Sequence, residues 1–142
     1  MKTTTILSCG VLMTALSFNI LAEETTMTAA QNAIKATNRS DVSFKNDILP
    51  ILQDHCISCH SPGGKGTLKS GLDMTSYEKL MKGTVFGPVV LPGNSEASTF
   101  TKLLTGTNQG LKMPSGLNAE GTLDTQYIML MRNWVKQGAK NN

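Results

Sequence analysis

Cys56 and Cys59 stand three positions apart and His60 follows directly, in the order Cys56-Ile57-Ser58-Cys59-His60. These residue types at this spacing have a specific chemical use. Each thiol can add across one vinyl group of a haem to form a thioether, and two intervening residues let both sulfurs meet one edge of the porphyrin. The next residue then lies beneath the ring, where an imidazole nitrogen can ligate the iron. Other uses of a Cys-x-x-Cys pair fit less well. A thiol–disulfide redox pair ordinarily opens a helix after a strand, and no βαβ pattern precedes this one. Structural zinc takes four ligands, usually as two separated pairs. The chain has three cysteines and two histidines, but Cys9 lies in an apolar leader and His55 and His60 flank the same pair. A plain disulfide stays open as the residual alternative.

Haem iron takes a second axial ligand or keeps an open position, and that choice separates electron carriage from chemistry at the metal. Met113 is the best distal candidate. It sits on a Gly-rich loop and Pro114 follows it, a stiff unit that can hold a flexible thioether in place. A methionine sulfur opposite histidine favours ferrous iron and raises the potential. The plain alternative is that Met113 fills a gap in the core. Met129 and Met131 lie on a helical pattern, Met81 at a helix end, and Met74 too close behind His60 to cross readily to the other face of a haem. His55 is similarly too near the attachment site and is expected at the haem rim or in solvent.

The elements that must position these groups read as helices. Phe44, Ile48, Ile51, Leu52 and Cys56 recur at helical spacing, so the motif closes an amphipathic helix. Pro50 fits either a first turn after an Asp47 cap or a kink in a helix starting at Ser43. Ser61 to Gly66 reads as a loop. A second helix follows Thr75, which forms a capping-box pattern with Glu78, and Gly83 stops it. Phe86 to Gly93 is an apolar loop. A third helix spans about Glu96 to Thr105, capped by Asn94 or Ser95, with Phe100, Leu103 and Leu104 on one face. Gly106 to Gly121 is a long loop carrying Lys112-Met113-Pro114, and such loops are usually functional. A last helix starts after Asp124, runs to Gln137 and buries Tyr127, Leu130, Met131 and Trp134. No repeat and no strong hairpin signal is present.

Lys2, the apolar run Ile6 to Leu21 and small Ala22 make a secretory signal peptide, residues 1–22, which places the mature protein in the periplasm. The run is interrupted by Ser8, Thr14, Ser17 and Asn19 and is short for a spanning helix, so no stable membrane insertion is expected. Residues 23–42 read as a flexible tail and residues 43–140 as the folded domain. The net charge of +3 falls to +2 without Lys2, too little to argue for nucleic acid or an anionic membrane surface. Aromatics are only 5% of the chain, so a bound haem would supply apolar core that large rings do not.

Taken in order, these segments resemble the class I cytochrome c fold. More narrowly, Phe44 to Ala139 is similar to the small bacterial domains of the planctomycete cytochrome c family. The likeness is carried by Asp47-Ile48-Leu49-Pro50-Ile51-Leu52, the haem motif, Gly71-Leu72-Asp73-Met74, Leu91-Pro92-Gly93, Lys112-Met113-Pro114 and Trp134 to Ala139. The resemblance implies an all-α fold of about four helices around one covalent haem c, with long loops. It implies thioethers at Cys56 and Cys59, His60 as proximal iron ligand and Met113 as the usual distal one. The expected function is electron transfer, not catalysis: a periplasmic monohaem cytochrome passing single electrons between a protein donor and a protein acceptor. Lys65, Lys69, Lys79, Lys82, Lys102 and Lys112 flank the haem loops and either steer an acidic partner or are simply solvated. The alternatives in other classes are a haem enzyme or gas sensor with an open distal site, such as a peroxidase, and a haem subunit of a larger oxidoreductase.

Overall fold

The computed structural model describes residues 40–115 and 123–142. The expected leader, most of the expected tail and the end of the Met113 loop lie outside these residues. The described chain is all-helical, with five α-helices and no sheet: α1 Leu49–His55, α2 Lys65–Ser70, α3 Tyr77–Lys82, α4 Thr99–Thr105 and α5 Thr125–Lys136. No helix among the described residues is long and apolar enough to cross a membrane.

The entry to α1 resolves the question that Pro50 raised. A π-helical turn, Phe44–Ile48, precedes α1, and Pro50 falls in its first turn. Ile48 and Leu49 donate to the carbonyls of Ser43 and Phe44, five residues back. The wider turn leads straight into the position where a proline needs no amide partner. Ser43 caps this turn by accepting from Asn46 N–H, and Asp47 accepts from the Ser43 amide. Asn142 reaches the same end from the far terminus. Its side-chain oxygen accepts from Phe44 N–H at 2.9 Å, and its backbone oxygen accepts from Lys45 N–H at 3.0 Å.

The core lies where the first segment meets α5. Ile48, Leu52, Leu80, Met131 and Trp134 are fully buried. Phe44, Tyr77 and Trp134 form an aromatic group, with centroids 5.2 Å apart for Phe44–Tyr77 and 5.6 Å for Phe44–Trp134. Such pairs stabilise by about 0.5–1.5 kcal/mol beyond their buried area. Both polar handles are satisfied: Tyr77 Oη donates to the Ala139 carbonyl and Trp134 Nε1 to that of Lys140, each at 2.9 Å. On α5, Met131 and Trp134 are buried as their spacing requires, Val135 joins them, and Tyr127 and Leu130 are half-buried against the same core.

Three local readings shift. The stretch after His60 is not all loop, because Lys65–Ser70 forms α2. Its only large apolar residue, Leu68, is 76% exposed, so no buried stripe marked it in the sequence. Helix α3 is capped by Ser76, whose hydroxyl accepts from Lys79 N–H, and not by Thr75. Thr75 instead donates its hydroxyl to Asp73 at 2.6 Å. Helix α4 begins at Thr99, later than Glu96, since Asn94 caps a separate turn by accepting from Ala97 N–H.

Candidate haem attachment site

The attachment residues fall in the tight turns that follow α1. The amides of Cys56 and Ile57 both donate to the Leu52 carbonyl, and those of Cys59 and His60 both donate to the Cys56 carbonyl. Cys56 thereby faces inward at 8% exposure while Cys59 is exposed. Burial, with a smaller contribution from neighbouring Cys59, lifts the Cys56 thiol to about 11, so the unmodified group is a neutral thiol at physiological pH.

Helix α2 then folds back over the motif. The amides of Gly66 and Thr67 donate to the Cys59 carbonyl at 2.9 and 3.1 Å. This close return needs glycine at two positions. A Cβ on Gly64 would lie 2.4 Å from the Cys59 carbonyl oxygen. A Cβ on Gly66 would lie 2.5 Å from His60 Cε1 and 2.8 Å from both ring nitrogens. The imidazole therefore rests against bare backbone.

His60 is oriented by the segment after α2. Its Nδ1 lies 3.3 Å from the Leu72 carbonyl, which can only accept, so Nδ1 is the nitrogen that donates there and Nε2 is the one left to bind a metal. A metal-ligating histidine is characteristically held in this way, through the nitrogen that does not bind metal. Thr67 Oγ1 donates to the same carbonyl at 2.7 Å. Two further contacts fix the segment: Met74 N–H donates to the His60 carbonyl at 2.8 Å, and Asp73 accepts from the backbone and hydroxyl of Thr75. Lys79 Nζ closes on the Asp73 carboxylate at 2.9 Å. Burial of Asp73 works to raise its pKa, but the hydrogen bonds from Thr75 and Lys79 hold it down to about 2.

The donor set fits a haem. An imidazole with Nε2 free sits next to one exposed and one core-facing thiol, and large exposed apolar side chains follow on α2 and the later loops: Leu68, Val85, Phe86, Leu111 and Met113. A flat apolar ring can cover exposed side chains of this kind. No group of three or more His, Cys, Asp or Glu that could hold a metal ion comes together among the described residues. A cavity of about 380 Å³ lies elsewhere, lined by residues such as Asn94, Glu96, Arg132 and Lys136 and by none of the attachment residues.

Met113 lies on the loop after α4. Its N–H donates to the Leu103 carbonyl at 3.0 Å, which ties the loop to the end of α4, and its side chain is 37% exposed. The His55 ring lies 5.6 Å from that of Tyr127 on α5. Sequence reasoning missed Gly66, Thr67 and Leu72. The Gly66 requirement becomes visible only once α2 is known to pack on His60, and a backbone carbonyl such as that of Leu72 leaves no side-chain signal.

A Cys-x-x-Cys-His motif in the turns directly after a helix, an imidazole held through Nδ1 and an all-helical shell define a c-type cytochrome domain. The comparison with family models agrees: residues 56–115 match Planctomycete cytochrome C, and this part of the chain is a domain of that family. The match begins at the first cysteine of the motif and reaches beyond Met113 and Pro114. Membership implies covalent haem c and haem-based electron transfer. No curated protein and no solved structure gives a significant match.

Proposed function

We propose that this chain is a periplasmic monohaem cytochrome c that carries single electrons between a protein donor and a protein acceptor. In this reading Cys56 and Cys59 hold the haem as thioethers, His60 ligates the iron through Nε2 and Met113 supplies the opposite ligand. The bound haem supplies an iron that alternates between ferrous and ferric states. The chain supplies everything else. It anchors the group at two points, orients the imidazole through Leu72 and offers a thioether on a loop tied to α4.

The observation that carries the proposal is the His60 Nδ1–Leu72 contact beside the cysteine pair, because it presents one defined nitrogen to a metal. An enzyme or sensor with an open distal site needs an acid–base residue over the iron. The other histidine, His55, is engaged with Tyr127 instead. Export to the periplasm follows from the leader-like residues 1–22. Protein partners would dock near the attachment site, where Lys65 and Lys69 are exposed on α2; Lys82 and Lys112 are exposed as well. Lys79 is less free for that purpose because it pairs with Asp73.

The test is the optical spectrum of exported wild type and of Met113→Ala, oxidised and reduced, with carbon monoxide added to the ferrous forms. A weak near-infrared sulfur-to-iron band in wild type, lost in Met113→Ala, together with inertness to carbon monoxide until Met113 is removed, supports a His/Met electron carrier. Unchanged spectra on Met113→Ala, or rapid carbon monoxide binding by wild type, contradict it.

A further inference from the structure

Two donors converge on one acceptor behind His60. The Leu72 carbonyl accepts from Thr67 Oγ1 at 2.7 Å and from His60 Nδ1 at 3.3 Å. We propose that Thr67 is a positioning residue that raises the potential of the iron by competing with His60 for this carbonyl. The inference rests on the reading of His60 as an iron ligand and adds a residue to it.

The Thr67 bond has the ordinary length for a hydroxyl donor, while the His60 bond is longer than the usual N–H···O range of about 2.7–3.2 Å. A carbonyl oxygen that already accepts one short bond is a weaker acceptor for the second, because the first donor draws on the same electron density. The strength of the bond at Nδ1 sets how much electron density the imidazole offers through Nε2. A strong bond makes the ring more imidazolate-like and stabilises ferric iron. A weakened one leaves it a poorer donor, and ferrous iron gains.

Thr67 is not making the routine contact of a helical hydroxyl. Such groups commonly turn back to the carbonyl four residues earlier, as Ser70 does to Gly66 at 2.8 Å. Thr67 instead reaches forward to Leu72. The carbonyl does not depend on Thr67 for its place. Leu72 N–H donates to Ser70 Oγ at 3.2 Å, Leu72 is 5% exposed, and the next residues are fixed by the Met74–His60 and Asp73–Thr75 bonds. Loss of the Thr67 hydroxyl therefore releases the acceptor more than it moves it.

The experiment compares holoprotein of wild type, Thr67→Val and Thr67→Ser by equilibrium redox titration, with proton NMR of the His60 Nδ1 hydrogen in the reduced state. Thr67→Val should lower the midpoint potential and move the Nδ1 proton downfield, as a strengthened hydrogen bond requires. Thr67→Ser keeps the hydroxyl and should stay with wild type in both. A Thr67→Val potential equal to or above that of wild type, with covalent haem and wild-type ligation retained, overturns the inference alone. Wild type without covalent haem overturns the underlying reading as well.

Discussion

Alanine at position 66 would press a methyl group against the face of the ligating imidazole. Its Cβ would lie 2.5 Å from His60 Cε1 and 2.8 Å from Nδ1 and Nε2, against an ordinary contact of at least 3.4 Å, so ring or helix must give by about 0.9 Å. Helix α2 is poorly able to give. Its first amides are tied to the Cys59 carbonyl and Thr67 is tied to Leu72. The ring moves more easily, and its retreat weakens the contact of Nδ1 with Leu72, already long at 3.3 Å. Overpacking of this kind costs about 1–3 kcal/mol, and the weakened hydrogen bond adds up to about 1 kcal/mol. Gly66→Ala should therefore lose about 1–4 kcal/mol of stability in denaturant titration and show a changed Soret spectrum, since iron ligation is disturbed with it. Lys65→Ala, exposed on the same helix, should change neither. A Gly66→Ala protein with wild-type midpoint and spectrum would refute the packing of His60 on α2.

Trp134 is fully buried and joins Phe44 and Tyr77, so Trp134→Ala should cost about 3–5 kcal/mol in denaturant titration; a loss under about 1 kcal/mol would contradict the aromatic core. Thr101 is 3% exposed and its hydroxyl has no hydrogen-bond partner among the described residues. Thr101→Val should raise stability by about 1 kcal/mol, and a clear loss would mean that the hydroxyl has a partner after all. Asp73 ionises at about 2 in the folded chain against an ordinary 3.8, so its contribution is complete above about pH 4 and is lost as pH falls through about 2. Asp73→Asn should flatten that acid limb in a circular-dichroism titration, and an unchanged limb would remove Asp73 from acid unfolding.

What could be read in the sequence was whatever side chains announce. The spacing of Cys56, Cys59 and His60 named the chemistry, and the periodicity of Met131 and Trp134 identified the buried face of α5. What escaped depended on backbone and on contacts distant in sequence. Helix α2 carries two glycines at its start and neighbourhood and an exposed leucine, a pattern that reads as loop, yet its amides close on the Cys59 carbonyl. Thr75 followed by Glu78 looked like a cap, but Asp73 offered the Thr75 hydroxyl a charged acceptor and Ser76 took over the capping. The Asn142 contacts with Phe44 and Lys45 join positions nearly a hundred residues apart, for which no local pattern exists.

Covalent attachment of haem to Cys56 and Cys59 is the first property to measure. Wild type and a Cys56→Ala/Cys59→Ala variant would be exported in cells that carry haem-attachment machinery, then extracted with acidic acetone and weighed by intact mass spectrometry. Wild type should keep its haem through extraction, with a mass gain of one haem, and the double variant should keep none. Wild type that releases its haem, or never acquires any, would contradict it.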